Sequence, residues 1–239
     1  MPATRAIAHV PHPIPGDMHE VSPKGALARE RMLKVALDLF GKHGYDATTT
    51  RMVAQAAGMN LGAIPYYFGS KDDLYVEAAN HLGAFIQSVH SQPLSALVTG
   101  AAATTEREAL IELVLTFIDS QARILLSNDI PATWIQFFLR IQTEHGDAFE
   151  GLFTRVLNPV QTALNDVVAR ITGRGPDDID TRLLSFHLIH QLINFRLAET
   201  VLDRRLPPQS HEERVETILK FIKPSLRNQL RAAALESGQ

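Results

Sequence analysis

Two short runs of small and apolar residues, VAQAA (53–57) and LGAIPYYF (61–68), are joined by Gly58-Met59-Asn60, and this joint constrains the fold more than any other stretch of the chain. Helices of about two turns do not persist alone in water, so a pair of them so closely spaced must pack together and on a third element. Glycine at 58 closes the first helix and lets the next leave at a steep angle, the geometry of a helix-turn-helix. The hydroxyls of Thr49 and Thr50 suit the start of the first helix, and Asn60 is expected to cap the second, over roughly Leu61–Tyr67, which stops at Gly69. Val53, Ala54, Ala57 and Ile64 would form the hydrophobic knot, leaving Asn60, Leu61 and Ala63 near the exposed start of the second helix. Ser70 with Asp73 three residues on reads as a capping box, and the acids at 72 and 73 suit a helix N-terminus.

Upstream, Leu33, Ala36, Leu37 and Phe40 recur at i, i+3, i+4 and i+7, predicting an amphipathic helix that ends within Gly41–Gly44. Downstream, helices are expected over 70–90, 105–128, 131–145, 148–172, 177–202 and 211–235. Their breaks fall at QPLSALVTG, NDIP, HGD, TGRGPDD and DRRLPPQS, all rich in turn residues. No stretch alternates as a strand would. The fold class is therefore all-α: a three-helix head carrying the helix-turn-helix over 25–75, then a larger helical domain over 76–239. Residues 1–24 hold several prolines and no apolar core of signal-peptide length, so they are expected to be a mobile leader. A start at Met18 would remove residues 1–17 and keep every helix.

The chain has no cysteine, which excludes disulfides and thiolate metal sites. Its apolar runs are cut by Arg, Gln, His or Asp before reaching a membrane span of roughly 18 residues, so no membrane partner is expected. Residues 1–71 carry eight Lys/Arg against five Asp/Glu, while the remainder carries 15 against 21. A basic front on an acidic body suits a chain whose front alone meets a polyanion. HExxH, GxSxG and phosphate-loop motifs are all missing, so no catalytic residue and no cofactor are expected.

The run GKHGYDATTTRMVAQAAGMNLGAIPYYFGSKDDL resembles the DNA-binding domain of TetR-type transcriptional regulators over about residues 26–75. AIPYYFGSKDDLY, together with TEHGDAFEGLFTRVLNPV, is similar to one subgroup with its own C-terminal domain. The resemblance implies that the second short helix enters the major groove, with Asn60, Leu61, Gly62 and Ala63 facing base edges. It implies backbone contacts from Thr49, Thr50 and Arg51, phosphate or nearby-base contacts from Tyr66 and Tyr67, a phosphate contact from Lys71, and Phe68 as an apolar plug. Physics agrees at Lys71, where a helix N-terminus is already an anion site. Pro65 departs from the usual tyrosine, which removes a contact and threatens to distort the helix; Met52 departs from the usual acid.

In PATWIQFFLR, Trp134 and the two phenylalanines at helical spacing fit an ordinary core, while the resemblance makes Trp134, Phe138 and Arg140 candidates for an effector pocket. His187 and His190 are three apart and could share a metal, with Gln191 and Asn194 nearby, but no third ligand stands at a recognisable spacing, so core or interface histidines fit better and no metal is expected. The resemblance also implies a homodimer through the last two long helices. The function implied is a cytoplasmic repressor that binds a near-palindromic operator as a dimer and is released by a small-molecule effector. A helical protein-interaction adaptor and a His-dependent metalloenzyme are the competing readings.

Overall fold

A computed structural model describes residues 23–144 and 146–236. Among them the elements are α1 (Pro23–Ala47), α2 (Thr50–Ala56), α3 (Ala63–Phe68), α4 (Lys71–Ala102), α5 (Arg107–Leu125), α6 (Ala132–Glu144), α7 (Asp147–Leu152), a π-turn (Phe153–Leu157), α8 (Asn158–Thr172), α9 (Ile179–Leu197), α10 (Glu199–Asp203) and α11 (His211–Glu236). There is no strand among the described residues, in line with the all-α reading. None of these helices is long and apolar enough to cross a membrane. Most of the leader, residues 1–22, lies outside the described residues, but Pro23 and Lys24 already belong to the first turn of α1.

Two apolar cores divide the chain. The first gathers Phe40, Val53, Ile64 and Leu74 from the head and extends to Trp134, Phe137 and Leu152 in α6 and α7. The second joins the far end of α4 to α5, α8, α9 and α11 through Leu97, Ile118, Leu164, Leu188 and Ile222. α11 is also pinned along α5 by ion pairs, Lys223–Asp119 at 2.9 Å, Arg227–Glu112 at 2.6 Å and Arg231–Glu108 at 2.7 Å. The Arg227 and Arg231 pairs are exposed and set register more than stability, while Asp119 in the first pair is partly buried.

Three boundaries differ from those the sequence suggests. α4 does not break at QPLSALVTG but runs through Pro93 to Ala102. A proline inside a helix costs about 3 kcal/mol, yet the turns beyond it bury Leu97 and Ala101 in the second core, and that packing keeps the helix going. The stretch 148–172 is helical but contains the π-turn, which lies just before Pro159. A π-turn widens the spiral there and gives room to a ring that would otherwise meet the carbonyl of the preceding turn. The stretch 177–202 is interrupted at Ala198, where α9 gives way to α10, and Arg196 of α9 pairs with Glu199 of α10.

The head meets the body chiefly where α1 crosses α6. Gly44, at φ 80° and ψ 174°, ends the regular part of α1 in a conformation that glycine adopts without strain. One turn earlier the two backbones nearly touch, since a β-carbon at Gly41 would lie 2.0 Å from the Thr133 carbonyl oxygen. Thr133 Oγ1 donates to Asp38 at 2.6 Å, and Arg140 Nε donates to the Gly41 carbonyl at 3.1 Å. Phe40, Tyr75 and Phe137 close the crossing as an aromatic cluster with ring centroids 4.9–5.9 Å apart.

Gly41→Ala is therefore expected to destabilise the chain by about 2–3 kcal/mol in urea unfolding, through overpacking against backbone that cannot give way. Gly175→Ala, where a β-carbon would meet nothing within 4 Å, is expected to stay within about 0.5 kcal/mol.

Candidate nucleic-acid interface and buried cavity

The head presents its polar residues along one run of the chain. Thr49 caps α2, its Oγ1 accepting from the Met52 amide at 3.2 Å, and is exposed, as is Arg51; Thr50 is half-buried. Val53, Ala54, Ala57 and Ile64 are all buried and form the knot expected between α2 and α3. Gly58 turns the chain at φ 65°. Asn60, Leu61 and Gly62 are exposed in the turn before α3.

Two expectations at this end are corrected. Asn60 does not cap α3, because that helix starts two residues later, with Gly62 as its capping residue and no side-chain bond. The Asn60 carboxamide is thereby left in the turn rather than spent on the helix. Ala63 is only 6% exposed, since the first residue of so short a helix packs its methyl into the knot. It cannot face a base edge in this conformation, whereas Asn60, Leu61 and Gly62 remain available.

Pro65 does not distort α3. It is the third residue of the helix, within the first turn, where the amide has no intrahelical partner to lose. Tyr66 is 79% exposed and stands edge-on to the half-buried Tyr67 at 4.8 Å. Phe68 is buried beneath the Arg29 guanidinium at 5.3 Å, the plug that the sequence suggested. Ser70 and Asp73 form the capping box: Ser70 Oγ accepts from the Asp73 amide at 3.0 Å, and Asp73 Oδ2 accepts from the Ser70 amide at 3.1 Å. The next residue, Lys71, holds its Nζ 4.1 Å above the Tyr45 ring, and the Tyr45 hydroxyl bonds Asp72. No local pattern signals this seat for Lys71, because Tyr45 is far from it along the chain and lies beyond the expected end of the first helix.

The second feature is a cavity of about 330 Å³ on the seam between the two cores. Leu82 and Trp134 from the first core and Leu192 from the second all line it. Trp134 and Phe138 of α6 form one wall, with Trp134 edge-on to Phe85 of α4 at 5.3 Å. Phe153 of the π-turn and Phe186 of α9 line it too while remaining 41% and 52% exposed, so the cavity reaches solvent between them. A π-turn beside a cavity is a common way of shaping a functional wall.

Arg140 does not reach the cavity. It faces the other side of α6, bonded to Gly41 and lying against Gly44 of α1, because it stands two residues beyond Phe138 and so some 200° around the helix. α6 thus shows Trp134, Phe138 and Gln142 to the cavity and Phe137, Arg140 and Ile141 toward the first core and α1. The polar lining consists of Gln121, Gln142, Gln161, His90 and His190, with no Asp, Glu, Lys or Arg. Burial holds the imidazoles of His90 and His190 below the ordinary histidine value, which keeps both neutral at pH 7. Gln121 escaped the sequence reading, although its position signals it: Val114, Ile118 and Leu125 share its stripe of α5, and it is the polar member.

His187 and His190 are not brought to a common point. His190 stacks on Phe186 at 3.6 Å and its Nδ1 lies 2.8 Å from the Phe186 carbonyl, while His187 is exposed. Among the described residues no group of three or more His, Asp or Glu could hold a metal ion.

Residues 32–78 match the family described as "Bacterial regulatory proteins, tetR family", and residues 110–233 match the C-terminal domain of the HTH-type transcriptional dual regulator CecR. The chain is 33% identical over 199 residues to the CecR regulator of Shigella flexneri, covering 82% of this chain and 87% of that protein. It is 23% identical over 205 residues to the transcriptional repressor AcnR of Corynebacterium efficiens, covering 84% and 93%. Among solved structures, AibR in complex with isovaleryl coenzyme A and operator DNA superposes with a TM-score of 0.60 at 12% identity, over 80% of this chain and 96% of that one. The fatty acid degradation regulator FadR of Bacillus halodurans superposes with a TM-score of 0.56 at 17% identity, over 85% and 96%. At such identities the two structures speak for the fold alone.

Ser70→Ala removes one half of the capping box and loosens the start of α4, where Lys71 sits. Urea unfolding is expected to register a loss of about 1 kcal/mol, and Ser70→Asp, which restores an acceptor, is expected to recover most of it.

Proposed function

The chain belongs to the TetR family of bacterial regulatory proteins and is a DNA-binding transcription regulator; from that premise we propose that it represses its targets as a homodimer and leaves the operator when a small molecule fills the seam cavity. The division of labour is a DNA-binding head over 25–75 and an effector-binding and dimerising body over 76–239, working in the cytoplasm by binding equilibria alone.

The observation that carries this reading is the position of the cavity. It shares α6 with the α1 crossing, so a molecule seated against Trp134 and Phe138 acts on the same helix whose Thr133 lies against Gly41 of α1. A ligand shifts a two-state protein only as far as it prefers one state, and a wedge between two cores has that preference built in. Dimerisation is supported by the apolar face left open on α9 and α10, where Ile179, Leu183, Phe186, Leu197 and Val201 are exposed. Phe221 and Leu235 of α11 are likewise exposed, and such faces are commonly covered by a second copy. A two-fold pair would set the reading heads about 34 Å apart, in successive major grooves.

In this reading Asn60 and Leu61, with the Gly62 backbone, meet base edges; Thr49, Thr50, Arg51, Tyr66 and Tyr67 grip the backbone; and Lys71 leaves the Tyr45 ring for a phosphate. Recovering and sequencing the fragments that the purified protein retains from sheared DNA of its own source, at near-physiological salt, tests the whole. A near-palindrome is expected; a folded dimer that enriches nothing would favour the adaptor reading. Lys71→Ala is expected to weaken binding to all sequences alike and to flatten the plot of log affinity against log salt by about 0.9 per subunit. Asn60→Ala is expected instead to change which bases are preferred, and an unchanged preference would remove Asn60 from the reading set.

A further inference from the structure

The chemical class of the effector can be read from the polar atoms that the cavity buries. Gln121 is 2% exposed and lines the cavity, and neither its amide nitrogen nor its carbonyl oxygen has a hydrogen-bond partner. His90, across from it on α4, also lines the cavity, and its Nδ1 is buried without a partner. The two side chains face each other closely enough for an amide–imidazole hydrogen bond to offset part of the effect of burial on His90, but not in the geometry of a full hydrogen bond, so the pair is under-satisfied and has bonding capacity left for a third group. A buried donor and acceptor left open are costly, and a core that only needed filling would carry leucine there.

We propose that Gln121 and His90 form the polar end of an otherwise apolar binding site, and that the effector is an uncharged amphiphile whose single hydroxyl, carbonyl or amide group bonds this pair while its hydrocarbon part lies along Trp134 and Phe138. The inference rests on the cavity being the effector site. Absence of charge follows from the lining: a carboxylate or ammonium entering here would leave water and meet no counter-ion, since no Asp, Glu, Lys or Arg lines the cavity. An uncharged head loses far less on entry, and the carboxamide offers it both a donor and an acceptor. A cavity of about 330 Å³ is at the small end of the range for ligand sites, which suits a compact molecule rather than one with a bulky polar appendage enclosed beside it.

Trp134 makes the test direct, because it is the sole tryptophan of the chain and stands in the cavity wall. The full-length protein is titrated at pH 8 with three ten-carbon probes, 1-decanol, decanoate and decyltrimethylammonium, while its emission is followed. Decanol is expected to shift the emission with 1:1 saturation, and the two ions to bind at least tenfold more weakly. Gln121→Leu is expected to melt no lower than the parent, because it removes an unsatisfied amide from apolar surroundings, and to bind decanol about five- to tenfold more weakly. Decanoate or the cation binding as tightly as decanol would overturn the inference and leave the cavity reading standing, and so would an unchanged decanol affinity in Gln121→Leu. If none of the three probes moves the emission, the cavity reading itself fails and this inference fails with it.

Discussion

α6 leans on α1 where only glycine fits, and the seat of the head on the body rests on that crossing together with α4, which runs from Lys71 in the head to the cavity wall at Leu82, Phe85 and His90. The contact combines a backbone approach at Gly41, two polar bonds from Thr133 and Arg140, and the Phe40–Tyr75–Phe137 cluster. Contacts of this kind do not deform gradually. Close-packed side chains and backbone occupy one arrangement or slip to another, which is how a small displacement at a ligand becomes a rigid-body movement elsewhere. The head shares its apolar core with α6 and α7, so its position is tied to the body it packs on.

Seen from the body, the same helix is a cavity wall. Trp134 and Phe138 face the space between the two cores, and Arg140 faces the head. The two faces of one helix therefore meet the cavity and the head. In a dimer the spacing of the reading heads decides operator affinity, and a difference of about 2.7 kcal/mol in effector affinity between the two spacings suffices for about 100-fold release. The exposed Phe186 and Phe153 place the mouth of the cavity beside the open face of α9, so a second copy there would also bear on how a ligand enters.

The head was legible in the sequence because its determinants are local. Gly58, the Thr49 cap, the Ser70–Asp73 box and the small residues of the knot all act within a few positions of themselves. What misled was also local: Asn60 reads as a cap, but the helix starts at Ala63, and Ala63 is buried by packing that periodicity in a six-residue helix cannot report. In the body, helix existence followed from the apolar pattern, while Pro93 overstated a break that burial of Leu97 overrides. Arg140 went astray because spacing along a helix does not say which neighbour each face meets, and TWIQFFLR serves two. Gln121 was readable as a polar residue in an apolar stripe, but His90, which faces it at the same end of the cavity, lies on another helix, and no spacing rule joins them. The seat of Lys71 on Tyr45 depends on how α1 and α4 cross and was beyond any single-sequence pattern.

In the proposed reading α6 transmits occupancy of the cavity to the reading heads. The most direct measurement of this transmission is the affinity for the selected operator, with and without saturating decanol, in the parent protein and in Arg140→Met, with Trp134 emission confirming that the cavity is filled in each. Decanol is expected to weaken operator binding of the parent at least tenfold, and Arg140→Met to bind decanol normally while losing most of that response. Decanol filling the parent's cavity with no change in operator affinity would contradict that reading.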